Sequence, residues 1–254
     1  MTLGSQPGLP GTRPEGVSNE AEAAAHVREM FGRIAPRYDL LNHLLSLDID
    51  KIWRRRVAKR FSNTLRDPNA RVLDLCCGTG DLAFAFRTAS PRGAEIIGSD
   101  FVPEMLVRAR AKAAASGAKV EFVEADALAL PFAEASFDLV SCAFGFRNLA
   151  NYERGLLEIL RVLKPGGAVA ILEFSEPRGK IFGALYRFYF RHVLPRLGGW
   201  ISGNSTAYSY LPSSVRKFPS PEQLQSQIEM VGFVGANFKR WTGGIVTLHA
   251  GTKS

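Results

Sequence analysis

The 254 residues, 46% apolar and 22% charged, suit one soluble α/β domain large enough to fold without disulfide or metal staples. A net charge of +8 admits nucleic acid, an anionic membrane surface or an acidic small molecule as partner and does not choose among them. Three cysteines, two of them adjacent (Cys76 and Cys77, with Cys142 apart), exclude a disulfide framework and a cysteine metal site and suit a reducing cytoplasm, and the chain shows neither a secretory leader pattern nor a run of ~18 apolar residues.

Residues 1–20 (MTLGSQPGLPGTRPEGVSNE) offer Gly, Pro and Ser and little to bury, which predicts a disordered tail ahead of a single domain over 21–254. Residues 21–66 read as a helical N-terminal lid interrupted at Pro36. From Arg71 short apolar and β-branched runs alternate with helical stretches. VLDL (72–75), EIIGSD (95–100), VEFVEA (120–125), FDLVSCAF (137–144) and AVAILEF (168–174) read as strands, with helices near 81–89, 103–116 and 151–163. Such alternation predicts an α/β fold, a mostly parallel sheet with right-handed crossovers and helices on both faces. LKPGG (163–167) reads as a stop between helix and strand. Residues 176–218 interrupt the pattern as an aromatic and basic cap insertion (KIFGALYRFYFRHVLPRLGGW). A helix near 220–231 follows, then FVGANFKRW and GIVTLHAGT, joined at Gly243-Gly244 as a C-terminal antiparallel hairpin.

The segment VLDLCCGTGD (72–81) ends a strand, turns on glycine and begins a helix. Gly78 and Gly80 let a ligand approach the backbone with no Cβ in the way. Asp100, at the end of the second strand, can accept both hydrogen bonds of a ribose diol. NAD and S-adenosylmethionine both meet these conditions, and Gly78-x-Gly80-x-x-Ala83 satisfies the dinucleotide pattern. Three features favour S-adenosylmethionine. Asp74, just before the turn, suits a cationic amino acid moiety and would repel a pyrophosphate. Asp126 ends the third strand, where it can accept from an adenine amino group. Only one glycine-rich turn is present, with no second nucleotide-binding half. Cys76 and Cys77 read as small residues packing under the loop, and Cys142, not preceded by proline, does not read as an attacking thiol.

Four longer motifs go further. They are YDLLNHLLS (38–46) with Trp53 after it, FGFRN (144–148) behind the fourth strand, RVLKPGG (161–167) running on to LEFS (172–175), and YSYL (208–211) with Ser214, Val215 and Pro219. From about Phe31 to the C-terminus the chain resembles the ubiquinone/menaquinone biosynthesis C-methyltransferases. The first two motifs set that family apart from methyltransferases in general. The resemblance implies a Rossmann-like class I S-adenosylmethionine-dependent methyltransferase fold. It implies cofactor contacts at Thr79, Asp100, Asp126 and Ala127, and methyl transfer to a ring carbon of a polyprenyl quinol. Demethylated menaquinol is the expected acceptor, with a 2-methoxy-6-polyprenyl-1,4-benzoquinol as the alternative. Three positions depart from the family pattern. Ala143 stands where serine is usual, which puts one cofactor hydrogen bond at issue. Asp50 stands where histidine is usual and Leu41 where methionine is usual.

A sulfonium is already a strong methyl donor, so the implied reaction needs no metal. The ring carbon must be made nucleophilic, which removal of a ring hydroxyl proton achieves. Arg147 and Asn148 follow the fourth strand, beside the methyl donor, and are the expected groups to bind or polarise the quinol oxygens. Tyr38 is a third contact from the lid. An arginine stays protonated, so it would act by orienting a water; His43 and His192 are other candidate bases. In the cap, Phe182, Leu185, Tyr186, Phe188, Tyr189 and Phe190 interleave with Arg187, Arg191 and Arg196. With the basic stretch Lys51–Arg60 they are expected to frame an opening for the isoprenoid tail and to touch anionic lipid at the inner face of the membrane. Expected partners are therefore the quinol, that membrane surface and a second copy in a homodimer. An RNA methyltransferase is the rival reading. Amino-methylating enzymes of that kind usually carry Asn/Asp-Pro-Pro-aromatic after the fourth strand, where FGFRN stands here. A non-catalytic cofactor-binding protein is the other rival, and the joint presence of Tyr38, Arg147 and Asn148 speaks against it.

Overall fold

A computed structural model describes residues 11–12, 14, 16–39, 46, 48–90, 92–177, 179 and 205–254, without the side chains of 205–209 and 211. Leu41, His43, His192 and the cap residues from Phe182 to Arg196 lie outside that set. The chain opens with α1 (Glu20–Ile34), a 3-10 turn at Ala35–Arg37, α2 (Ile49–Arg60) and α3 (Ser62–Arg66). Then come β1 (Arg71–Leu75), α4 (Asp81–Ala89), β2 (Glu95–Asp100), α5 (Pro103–Ser116), β3 (Glu121–Glu124) and β4 (Phe137–Ala143). The remainder is α6 (Tyr152–Val162), β5 (Leu163–Phe174), α7 (Ser205–Lys217), α8 (Pro221–Met230), β6 (Phe233–Trp241) and β7 (Val246–Lys253).

Local chemistry explains the boundaries. Asn19 caps α1 by accepting the Glu22 N–H, Asn151 caps α6 through Arg154, and Ser220 with Gln223 closes a capping box on α8 behind Pro221. Gly117, at φ 66°, ends α5. Pro36 sits in the 3-10 turn, as the expected break requires. The LKPGG stop differs from expectation. Leu163 already pairs with Phe137, and a bulge then carries Lys164–Gly167 out before Ala168 pairs with Leu139. Leu163 is fully buried, which holds this end in the sheet.

The seven strands run in the order β3-β2-β1-β4-β5-β7-β6. β1 to β5 are mutually parallel, and β7 is antiparallel to both β5 and β6. The expected hairpin is therefore present, with its turn at Thr242–Gly244. Strand alternation sorts the core into two layers. Leu73, Leu75, Ile97, Val140 and Ile171 pack on one face with α6 and α8. Val72, Ile96, Leu139, Ala170 and Leu172 pack on the other with α2, α4 and α5. Strand order turns back between β1 and β4, so the carboxyl ends of β1, β2 and β4 border the crevice where ligands of such sheets sit.

The stretch read as a tail is not all of one kind. Thr12 is buried, its N–H donates to the Leu149 carbonyl at 2.7 Å, and its hydroxyl lies 3.2 Å from the Tyr210 hydroxyl. Among the described residues no helix is long and apolar enough to cross a membrane.

Candidate active site

A cavity opens at the carboxyl edge of β1, β2, β3 and β4. The glycine turn contributes Cys76 and Gly78, the end of β2 contributes 100–102, the loop after β3 contributes 125–128, and the loop after β4 contributes 143–145 and 148–150. The lid covers it with Ala24, Val27, Phe31 and Tyr38. Tyr38 and Phe31 meet edge to face with ring centres 6.1 Å apart, against Met105 and Phe101. A Cβ on Gly78 would lie 3.6 Å from the Tyr38 ring, so the lid rests on the turn itself.

Asp100 dominates the polar chemistry. Its Oδ2 accepts the Gly78 N–H at 2.8 Å and its Oδ1 the Val102 N–H at 2.9 Å. A carboxylate has about four acceptor positions, so two remain, which suits a ribose diol. Burial pushes its pKa up to about 6, against the pull of those backbone hydrogen bonds. Asp126 stands exposed at the cavity edge, with one oxygen accepting the Leu128 N–H at 2.9 Å. Ala127 and Ala143 complete the wall as methyl groups, and Ala143 offers no side-chain hydrogen bond. Phe144, held at φ 60°, carries the chain from β4 into the cavity. Behind it Phe174 lies 4.6 Å away and Trp53 5.9 Å, centre to centre, which forms an aromatic wall.

Tyr38, Gly78, Asp100, Asp126, Ala127, Ala143 and Asn148 thus meet at one cavity. Asp74, Thr79, Gly80 and Arg147 do not line it. Asp74 stands furthest from the expected place. Strand parity puts it on the same side of β1 as Val72, beneath α4, and its register partner is Ser141. Its carboxylate accepts the Ala83 N–H at 3.0 Å and the Ser141 hydroxyl at 3.1 Å, with 1% of its surface exposed. Burial pushes it up to about 7. It braces the first turn of α4.

Thr79 is buried and turns its hydroxyl to Asp39. Gly80 serves through its backbone: at φ 88° it starts α4, and a Cβ there would come within 2.9 Å of Phe84 and Phe122. Arg147 is buried against Glu173, whose Oε2 it meets at 2.9 Å and whose Oε1 accepts its backbone N–H at 3.0 Å. It also bonds the Phe144 carbonyl and lies over the Phe174 ring. Burial works to lower the Arg147 pKa, but the charge and hydrogen bond of Glu173 lead the opposing effects and the net shift is upward. Its Nε–H has no hydrogen-bond partner among the described residues. Asn148 accepts the Tyr210 hydroxyl at 3.1 Å on Oδ1, which leaves its amide N–H₂ as the group to offer a ligand. Burial raises the Cys77 and Cys142 thiols well above their ordinary value, in keeping with packing residues.

Sequence reasoning missed Glu173, Lys112 and Asp81, since nothing local marks an acid or a lysine for a partner far along the chain. It placed Asp50 among the departures, and the structure shows what stands with it. Asp50 is buried, accepts from Ser46 at 2.5 Å and is ion-paired with Arg54.

A parallel sheet with this strand order, a glycine turn after β1 and an acid ending β2 beside the cavity define a class I S-adenosylmethionine-dependent methyltransferase. Residues 17–253 match the family model described as the ubiE/COQ5 methyltransferase family. The chain belongs to that family. It is 51% identical over 224 residues to a demethylmenaquinone methyltransferase of Thermus thermophilus, covering 88% of this chain and 100% of the relative. It is 49% identical over 237 residues to one of Deinococcus radiodurans, covering 93% and 96%. Among solved structures, the [4+2]-cyclase SpnF superposes with a TM-score of 0.68 at 18% identity over 97% of this chain and 98% of its own. That likeness is one of fold alone, and a cyclase on the same fold shows that the site must supply the reaction.

Proposed function

We propose that the protein methylates a ring carbon of demethylmenaquinol, giving menaquinol. The carrying observation is that the acceptors suited to adenosine, Asp100 and Asp126, share one cavity with Tyr38, Phe144 and Asn148. The names of the two relatives support the same substrate. Asp100 takes the ribose diol, Asp126 the adenine amino group, and Gly78 the approach of the backbone to the cofactor. S-adenosylmethionine, when bound, supplies an electrophilic sulfonium methyl. The aromatic wall of Phe144, Phe174 and Trp53 supports the quinol ring. The Asn148 amide donates to a ring oxygen and stabilises the phenolate as its proton passes to water, while Arg147, which does not line the cavity, acts from behind it through the Phe144 carbonyl that it holds. Holding carbon and methyl in line is worth up to about 7–11 kcal/mol in ideal cases. The test is methyl transfer from radiolabelled S-adenosylmethionine to reduced short-chain analogues of both quinol rings, with RNA as a third acceptor. Label on the naphthoquinol is expected. Label on RNA alone, or binding of cofactor with no transfer, would overturn the reading.

The acceptor carries a lipid tail, so the site must open near lipid. Lys51, Arg55 and Lys59 are exposed on α2 at i, i+4 and i+8, one stripe of the helix, and with Arg66 they line one side of a groove against α4. Ile52 beside them is 46% exposed. This face meets an anionic membrane surface, each cation contributing about 1 kcal/mol. Arg55→Glu with Lys59→Glu is expected to lower co-sedimentation with vesicles containing phosphatidylglycerol by at least about 10-fold. Equal binding of both proteins, or binding indifferent to salt, would remove the contact.

A further inference from the structure

Charges tie the lid to the glycine turn. Lys112, on α5, points its ammonium at three oxygens: Asp81 Oδ1 at 2.7 Å, Asp39 Oδ2 at 3.0 Å and Thr79 Oγ1 at 3.2 Å. Its three donors are all used. The Thr79 hydroxyl in turn donates to the other Asp39 oxygen. Asp81, the first residue of α4, receives Arg54 of α2 at 3.5 Å on its second oxygen, and Arg54 also holds Asp50. Two parts of the lid, Asp39 and the Asp50–Arg54 pair, therefore converge on the two residues that flank Gly80.

We propose that Lys112 is a positioning residue that fastens Asp39 to the cofactor turn and so holds Tyr38 over Gly78. The proposal rests on the reading of the cavity as the S-adenosylmethionine site. Three features lift the cluster above ordinary surface ion pairs, which contribute little singly. It is shared, one ammonium serving a lid carboxylate, a turn hydroxyl and the head of α4. It is partly desolvated, with the Lys112 and Asp39 side chains 34% exposed and Asp81 16%. It joins segments far apart in sequence, and Lys112 is the one group that touches Asp39, Thr79 and Asp81 together, so its loss leaves Asp39 held to the turn by the Thr79 hydroxyl alone among these contacts. Asp39 adjoins Tyr38, which touches the turn, so the fastening acts on the cavity roof. It also accounts for Thr79: its hydroxyl is spent on the fastening, so its effect on the cofactor runs through the shape of the turn.

The test uses the full-length protein and S-adenosylhomocysteine, which binds without reacting. Lys112→Ala is expected to raise amide exchange about 10-fold in the peptide carrying Tyr38 and Asp39 without ligand, and to weaken S-adenosylhomocysteine about 10-fold by calorimetry. Lys112→Arg keeps the charge and is expected to recover affinity to within about 3-fold. Salt at 0.5 M, as roughly a Debye length of 4–5 Å predicts, moves the native protein toward Lys112→Ala and leaves Lys112→Ala unchanged. Asp39→Asn attacks the fastening from the other end, and its effect should not add to that of Lys112→Ala. Unchanged exchange in Lys112→Ala, or additive effects of the two substitutions, would overturn the proposal. Should the native protein fail to bind S-adenosylhomocysteine, the cofactor reading falls, while the exchange measurement on unliganded protein still decides the fastening.

Discussion

Asp100→Ala is expected to abolish S-adenosylmethionine binding while the protein stays folded. The substitution removes two acceptors for the ribose diol, and hydrogen bonds to a charged group are worth about 1.5–3 kcal/mol each, so affinity should fall by about 10²-fold or more. It also strips the Gly78 and Val102 N–H groups of their acceptor, which loosens the turn that the cofactor lies on. Asp100→Asn should fall between, because its amide N–H₂ faces one of those two donors. Calorimetric titration with S-adenosylmethionine reads both. The pH dependence carries a sign of its own. Burial raises the folded-state pKa to about 6 from an ordinary 3.8. Its contribution to stability is therefore complete below about pH 3.8 and is lost as pH rises through about 6. Cofactor binding needs the ionised carboxylate and runs the other way, strengthening as pH rises through 6. The thermal shift produced by S-adenosylmethionine should thus grow between pH 5 and 7 in the native protein and stay flat in Asp100→Asn. A shift that shrinks over that window would count against Asp100 as the diol acceptor.

The Arg147–Glu173 pair should show the second large effect. Both side chains are buried, 7% and 1% exposed, and breaking one partner of such a pair costs about 3–5 kcal/mol because the other charge is left unpaired. For a domain of this size that is a fall in Tm of roughly 6–20 °C. Glu173→Ala and Arg147→Ala should both show it by calorimetric melting. Arg147→Ala should in addition lose nearly all turnover while cofactor affinity stays within a few-fold. Replacing both by leucine separates structure from chemistry, since buried pairs exchanged for apolar residues are often neutral. The double variant should recover much of the Tm, less what the Arg147 and Phe174 amides lose as donors to Glu173, and no turnover. Turnover returning together with stability would mean that the Arg147–Glu173 pair serves the fold alone and that its charges do not act on the site.

Side-chain direction separates residues of the same type at this site. Asp74 and Asp100 look alike in the sequence, each an acid near a strand end. Asp74 lies inside β1, where alternation turns it under α4 to meet Ser141 across the ladder. Asp100 is the last residue of β2, where the chain bends and its carboxylate can turn back to Gly78. Arg147 and Asn148 are neighbours in a 3-10 turn, yet Asn148 faces the cavity and Arg147 packs on Glu173 and Phe174 at the end of β5.

By itself the sequence determined the alternating strands and helices, the hairpin at the C-terminus, the glycine turn and the acids that follow it. These follow from local rules: apolar periodicity, capping residues and the conformational freedom of glycine, each acting within a few neighbouring residues. Only the tertiary structure decided that Asp74 is a brace, that Arg147 is paired with Glu173, and that Lys112 joins the lid to the turn. Those outcomes depend on which charges the fold brings within about 3 Å and away from water. Lys112 meets Asp39 across 73 positions of chain, and no short-range pattern carries that information.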